Sequence, residues 1–221
     1  MAWAYVWAMV ALALIPSIRR NTRLLVPLVL VLGILPDADL FLESIGIMHR
    51  TVTHSFLFWT VVFIPFFVIF RLKSVPYFVA VIQHFAFGDF IMGKVMLLWP
   101  FSSKFYGLSF GMPSLVDVFL ETLGLVLAFG IMMRKGSLKQ LLSIDKRNLF
   151  MLVPLFAILV SALFFSSRWS SLNALIADIA SNNLLLILAI IHLILLVFLA
   201  ISSLQGVRAL GSNEKLVQKK C

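Results

Sequence analysis

The feature that most limits what this chain can become is the recurrence of long apolar runs. A helix that crosses a hydrocarbon core of about 30 Å needs roughly 20 apolar residues. Seven runs approach that length, two of them imperfect. The first, Met1 to Ile18, lacks the basic start of a secretory signal and reads as a retained helix. The second begins at Leu24 and meets Pro36, which disfavours helix at Leu35 and breaks the span. The third runs from His54 to Phe70, and the fourth from Val75 to Leu98 with His84, Asp89 and Lys94 inside it. Pro113 to Met133, Phe150 to Phe165 and Leu184 to Leu204 complete the set.

Composition agrees: 62% hydrophobic residues against 12% charged exclude a soluble domain. In lipid every backbone polar group must be satisfied internally, and no ten-residue alternation suggests a barrel, so helices remain. The expectation is an all-α membrane protein, a polytopic bundle of about seven spans (six to eight). Residues 1–210 would form one transmembrane domain and 211–221 a basic cytoplasmic tail. The single cysteine, Cys221, excludes a disulfide framework.

A formal charge of +9 in a soluble protein would suggest nucleic acid, but here the basic residues fill the gaps between apolar runs. Counted over seven spans, 14 of the 18 Lys and Arg fall on one side, including Arg19, Arg20, Arg23, Arg134 and Lys135. Such residues stay cytoplasmic, which puts the amino terminus outside, the carboxyl terminus inside, and the chain in a plasma or inner membrane. No nucleic-acid partner is needed.

Ionisable groups inside a membrane cost about 2.5 to 3.5 kcal/mol each on insertion scales, so their clustering points to function. Three of the four histidines (His49, His54, His84) and four of the nine acids (Asp37, Asp39, Glu43, Asp89) fall between residues 37 and 89. The counted topology brings them to one membrane face. Imidazole and carboxylate are ligands for zinc, manganese or iron, and the absence of cysteine argues against a finger-type structural zinc. If the stretch after Pro36 is extended, Asp37 and Asp39 point the same way. A helical reading of residues 49–54 stacks His49 over Thr53 and Arg50 over His54. Asp117 and Glu121, four residues apart on the fifth run, share a face and can add ligands from a further element.

Taken in order, Pro36-Asp37-Ala38-Asp39, His49-Arg50-Thr51-Val52-Thr53-His54-Ser55, His84 to Asp89, and Leu97-Leu98-Trp99-Pro100-Phe101 resemble the YdjM-like (LexA-regulated) family of membrane-bound metal-dependent hydrolases. The matching block covers residues 33–121. That family is distantly similar to the zinc-dependent phospholipase C group, so the resemblance implies phosphoester hydrolysis over divalent metal, zinc above all, on a lipid or lipid-linked substrate. Carried onto this sequence, it nominates Asp37, Asp39, His49, His54, His84, Asp89 and Glu121 as metal ligands, with Asp37, Arg50 and Asp89 as catalytic residues. Arg50 would face phosphate, which a planar guanidinium grips well.

The sequence departs from the family pattern twice. Met1 to Ser17 holds no histidine where the family has one, and His84 and Asp89 are five residues apart where the family has four. On an ideal helix a five-residue step leaves the two about 140° apart, so only a π-bulge or a break near Gly88 brings them together.

Plainer readings stand beside these. Asp37 or Asp39 can cap a short helix, Asp117 and Glu121 can favour a helix start, and His192 reads as a hydrogen-bonded residue inside the seventh run. Two non-enzymatic alternatives also remain. One is a metal- or proton-coupled transporter that uses His84 and Asp89 as a relay. The other is a structural membrane protein whose metal holds helices together.

Overall fold

The structure is a computed structural model describing residues 1–19, 23–42, 46–111, 114–158 and 181–218. Glu43, Pro113, Trp169, Cys221 and the sixth run beyond residue 158 lie outside the described residues. Within them the chain is helical, and the nearest thing to a sheet is one antiparallel bridge between Val95 and Tyr106.

Among the described residues, three stretches rather than seven are long and apolar enough to cross a membrane: Phe56–Met92, Leu115–Lys135 and Asn183–Gly211. The first two expected spans fall short for local reasons. The first run gives α1 (Ala2–Leu14), about 20 Å long, because the residue before Pro16 is pushed out of the helical region and Ile15 is extended. The second gives α2 (Val26–Leu32), about 10 Å long, stopped at Gly33 and replaced by a 3-10 turn from Leu35 to Phe41.

Phe56–Met92 consists of two arms. Helix α3 (Phe56–Phe70) ends at Arg71, whose φ of 52° no helix accommodates, and after a short turn the chain enters α4 (Val75–Gln83). The Phe63 and Phe78 rings lie 5.2 Å apart, whereas fifteen residues of straight helix would separate them by about 22 Å. The arms therefore fold back on each other, and Trp59, Phe63, Val81 and Phe85 form the apolar core between them and the following loop.

The larger core is centred on α1. Its Ala4, Tyr5 and Ala8 are fully buried among Val26, Val29, Ala80, Ala128 and Leu199. Alanine on this face lets neighbouring backbones approach, as small residues do between membrane helices. Gly33 continues the pattern, since a Cβ there would run into Ala4. Helix α5 (Leu115–Lys135) packs alongside, with the Trp3 indole N–H donating to the Leu120 carbonyl at 3.0 Å over Gly124. The short α6 (Ser137–Leu142) meets α1 where the Tyr5 hydroxyl bonds Ser137 Oγ at 2.8 Å. Helix α7 (Asn183–Gln218) closes the far side and carries its backbone past Gly211 into the basic tail.

Candidate metal centre

Four irregular segments build the site. The 3-10 turn after Pro36 carries Asp37 and Asp39. With three residues per turn, a spacing of two sends the side chains apart, so the expectation of parallel carboxylates does not hold. Asp37 faces His84, whose Nε2 is 3.1 Å from Asp37 Oδ1. Asp39 faces the opposite way and is fully buried.

The His49 to His54 segment is not a continuous helix. Arg50 has φ of 65°, in the left-handed region that few non-glycine residues occupy, and only Val52–His54 form a 3-10 turn. The unusual backbone is matched by a hydrogen bond: the Arg50 N–H donates to Asp39 Oδ2 at 3.2 Å. Asp39 also accepts from His49 Nδ1 (2.8 Å) and the Thr53 hydroxyl (2.5 Å), and its Oδ2 lies 3.2 Å from His54 Nδ1.

Helix α4 runs into a π-helical turn over His84–Asp89. Its i→i+5 pattern absorbs the extra residue between this histidine and this aspartate, and His84 Nε2 ends 3.2 Å from Asp89 Oδ2. The His84 Nδ1–H donates to the Gly33 carbonyl at 2.9 Å. The other carboxylate oxygen of Asp89 pairs with Arg50 Nη2 at 3.1 Å, while Lys94 is exposed.

A fourth segment, residues 93–111, straps these parts together. Arg50 O accepts from Met96 N–H (3.1 Å), Leu97 O from Phe56 N–H (2.9 Å), and Trp99 O from the Ser55 hydroxyl (2.6 Å). Leu97 and Trp99 thus serve through backbone carbonyls that hold the start of α3. Gly93 lies against the Arg50 guanidinium, where a Cβ would collide with Nη1.

The result is a compact group of acceptors. His54 Nε2 is 3.0 Å from Asp89 Oδ2 and 3.6 Å from Asp37 Oδ1. One ligand atom each from Asp37, His54, His84 and Asp89 lies within 4.8 Å of the others, and the group can hold a metal ion. Four ligands placed tetrahedrally at 2.0 to 2.1 Å from an ion would be about 3.3 to 3.4 Å apart, close to these separations. Both histidines place Nδ1 against an oxygen acceptor, so an ion that displaced the Nε2 protons would meet an Nε2 lone pair from each ring. His54 Nε2 and Asp89 Oδ2 are buried and face each other at 3.0 Å. This donor set fits a divalent cation that accepts nitrogen and oxygen. Burial works against the charge on Asp37 and Asp39. For Asp37, His84 and the hydrogen bonds from His54 and His84 outweigh it; for Asp39, those from His49, His54 and Thr53 do. Both carboxyls are held well below the usual range.

Asp39, His49 and His54 form a second, overlapping group. Glu121 is in neither group: its Oε2 is 3.8 Å from His192 Nε2. His192 Nδ1 bonds the Leu188 carbonyl at 2.7 Å, and Asp117 is buried in the first turn of α5, beside its Ser114 cap. Sequence reasoning did not single out Gly33 or Gly93. Glycines flanking a polar cluster were the available signal, because a Cβ would run into Ala4 at Gly33 and into the Arg50 guanidinium at Gly93.

No protein-family model, curated protein or solved structure matches this chain.

Proposed function

We propose that this chain is a multi-pass membrane enzyme hydrolysing a phosphoester in a lipid or lipid-linked substrate, with a divalent cation, zinc, held by Asp37, His54, His84 and Asp89. The observation that carries the reading is the convergence of four ligand atoms from separate segments, with His54 Nε2 and Asp89 Oδ2 buried and 3.0 Å apart. Carboxylates this close to one another are stabilised by positive charge between them, which a divalent cation would supply. The order of motifs that resembles the YdjM-like hydrolases supports the choice of reaction, and membership of that family is part of the proposal.

A divalent ion at these atoms supplies acidification of water and compensation of the charge growing on phosphate oxygens. Asp37 is the most exposed of the four, with 38% of its side chain accessible, and stands where an incoming water gives up its proton. Arg50 holds Asp89 through Nη2, and its side chain, 26% exposed, would face an anionic phosphate oxygen. Substrate enters sideways from the membrane leaflet that borders the site.

One observation favours a second reading. Four protein ligands are what structural zinc sites have, whereas catalytic ones keep a position open. In that reading the ion ties residues 37, 54, 84 and 89 together and does no chemistry. The experiment is to purify the protein in detergent, measure bound metal, and follow release of phosphate-containing headgroups from a panel of phospholipids and lipid-linked phosphates, with wild type and His54→Ala. Turnover that needs both metal and His54 supports the enzyme. Bound metal without turnover across the panel favours the structural ion, and absence of metal removes both.

A further inference from the structure

We infer that the site takes a single ion and that Asp39 does not ligate it: Asp39 is an outer carboxylate that sets the tautomers of His49 and His54. This rests on the metal reading above.

The first argument is saturation. A carboxylate offers about four lone-pair sites on its two oxygens. Asp39 receives His49 Nδ1 on one oxygen and the Arg50 N–H and Thr53 hydroxyl on the other, with His54 Nδ1 also 3.2 Å from that second oxygen. Its surroundings leave no room for solvent, since the residue is 0% exposed. One of its donors is a backbone N–H, held there by the left-handed conformation of Arg50. Oδ2 is fully taken, so an ion could reach Asp39 only at the second lone pair of Oδ1, which is buried beside His49.

The second argument is the histidine shared by the two groups. Asp37, His54, His84 and Asp89 use His54 through Nε2, whereas Asp39, His49 and His54 would use it through Nδ1. A neutral imidazole has one acceptor nitrogen, so two ions would require His54 to lose both ring protons. A carboxylate behind a ligating histidine is the ordinary way a protein fixes that ring, and Asp39 stands in that relation to His54.

His49 follows from the same geometry. Its Nδ1–H is committed to Asp39, so Nε2 is left as an acceptor on a side chain that is 26% exposed, edge-on to the His54 ring at 5.0 Å between centroids. His49 borders the site without holding the ion. The sequence nominated Asp39 and His49 as ligands; the inference moves both outward.

The test is titration of Zn²⁺, and separately of Co²⁺, into metal-stripped full-length protein in detergent. The readouts are equivalents bound, Kd and the visible spectrum of the cobalt form. Wild type is expected to bind one equivalent with a four-coordinate cobalt spectrum. His49→Gln should bind one equivalent, with Kd within about twofold and the spectrum unchanged. Asp39→Asn should still bind one equivalent, but with Kd weakened about 10- to 100-fold and a shifted spectrum, the size expected for loss of an outer partner. Thr53→Ala, which removes a donor without touching a charge, is the second variant should Asp39→Asn fail to fold; it too should stay at one equivalent with weaker Kd. Two equivalents in wild type, or His49→Gln abolishing binding as His84→Ala does, overturns the inference while leaving the metal reading intact. No binding in folded wild type overturns the metal reading itself, and the inference with it.

Discussion

Asp37, His54, His84 and Asp89 on one side, and Asp117, Glu121 and His192 on the other, are the same kinds of residue in the same apolar chain, yet only the first set interlocks. In the second set the residues sit on the regular helices α5 and α7, and their closest pairing is 3.8 Å. His192 meets the demand of its Nδ1 within its own helix, at the carbonyl four residues back. A regular helix presents its side chains along fixed faces, so two such helices bring few polar atoms to one point. The first set is built on a 3-10 turn, a left-handed arginine and a π-turn, each of which redirects one side chain. Convergence comes from those departures.

The comparison breaks most readily at His54, the one histidine whose two nitrogens serve both groups. His54→Ala should abolish stoichiometric metal binding, from about one equivalent to none, measured by elemental analysis of purified protein. Retention of metal would mean that the four-atom group is not the site. A smaller effect is expected at Gly93. Gly93→Ala drives a Cβ into the Arg50 guanidinium, which should cost about 1 to 3 kcal/mol on unfolding and lower phosphoester turnover while leaving one equivalent of metal bound. Equal loss of metal and turnover would place Arg50 in ion binding instead.

Acid should separate the two regions further. Asp37 and Asp39 have folded pKa values below their ordinary 3.8, so their contribution to stability is present above pH 3.8 and is lost as pH falls through the depressed values. The metal-free protein should therefore lose thermal stability between pH 5 and pH 2, and Asp37→Asn should flatten that slope. An unchanged slope in the variant would remove Asp37 from the charged group. The smallest effect belongs to the second set: Glu121→Gln and His192→Gln should leave metal content and Kd within about twofold of wild type, as expected for residues outside the ion's ligands. A large drop in either would join the two regions into one site.

Much of the site was legible because its residues are costly in their context. Asp37, His54, His84 and Asp89 stood out as ionisable groups among apolar runs, and the five-residue interval from His84 to Asp89 already demanded a bulge or a break. The π-turn is that bulge. The directions of Asp37 and Asp39 were not legible, because the same two-residue spacing gives parallel side chains in an extended strand and divergent ones in a 3-10 turn. Glu121 was a weaker candidate for a similar reason: helical spacing states which face a residue shares, not what that face meets. The lengths of the first two helices were only partly legible: Pro36 was read as a break, whereas Pro16 and Gly33 were not. Pro16, Gly33 and Pro36 cut the first two runs to lengths that pack within the protein core.

By itself, then, the sequence determined the solvent this protein is built for, its helical character and the short inventory of groups able to bind an ion, since transfer costs and ligand chemistry belong to residue types. Tertiary structure alone decided which of those groups meet. The Gly33 carbonyl behind His84, Asp39 behind His54 and the Gly93 gap that seats Arg50 are contacts between segments far apart in the chain, fixed by how short, irregular helices pack around α1. A difference of one residue in the winding of a turn is enough to send a carboxylate toward the cluster or away from it.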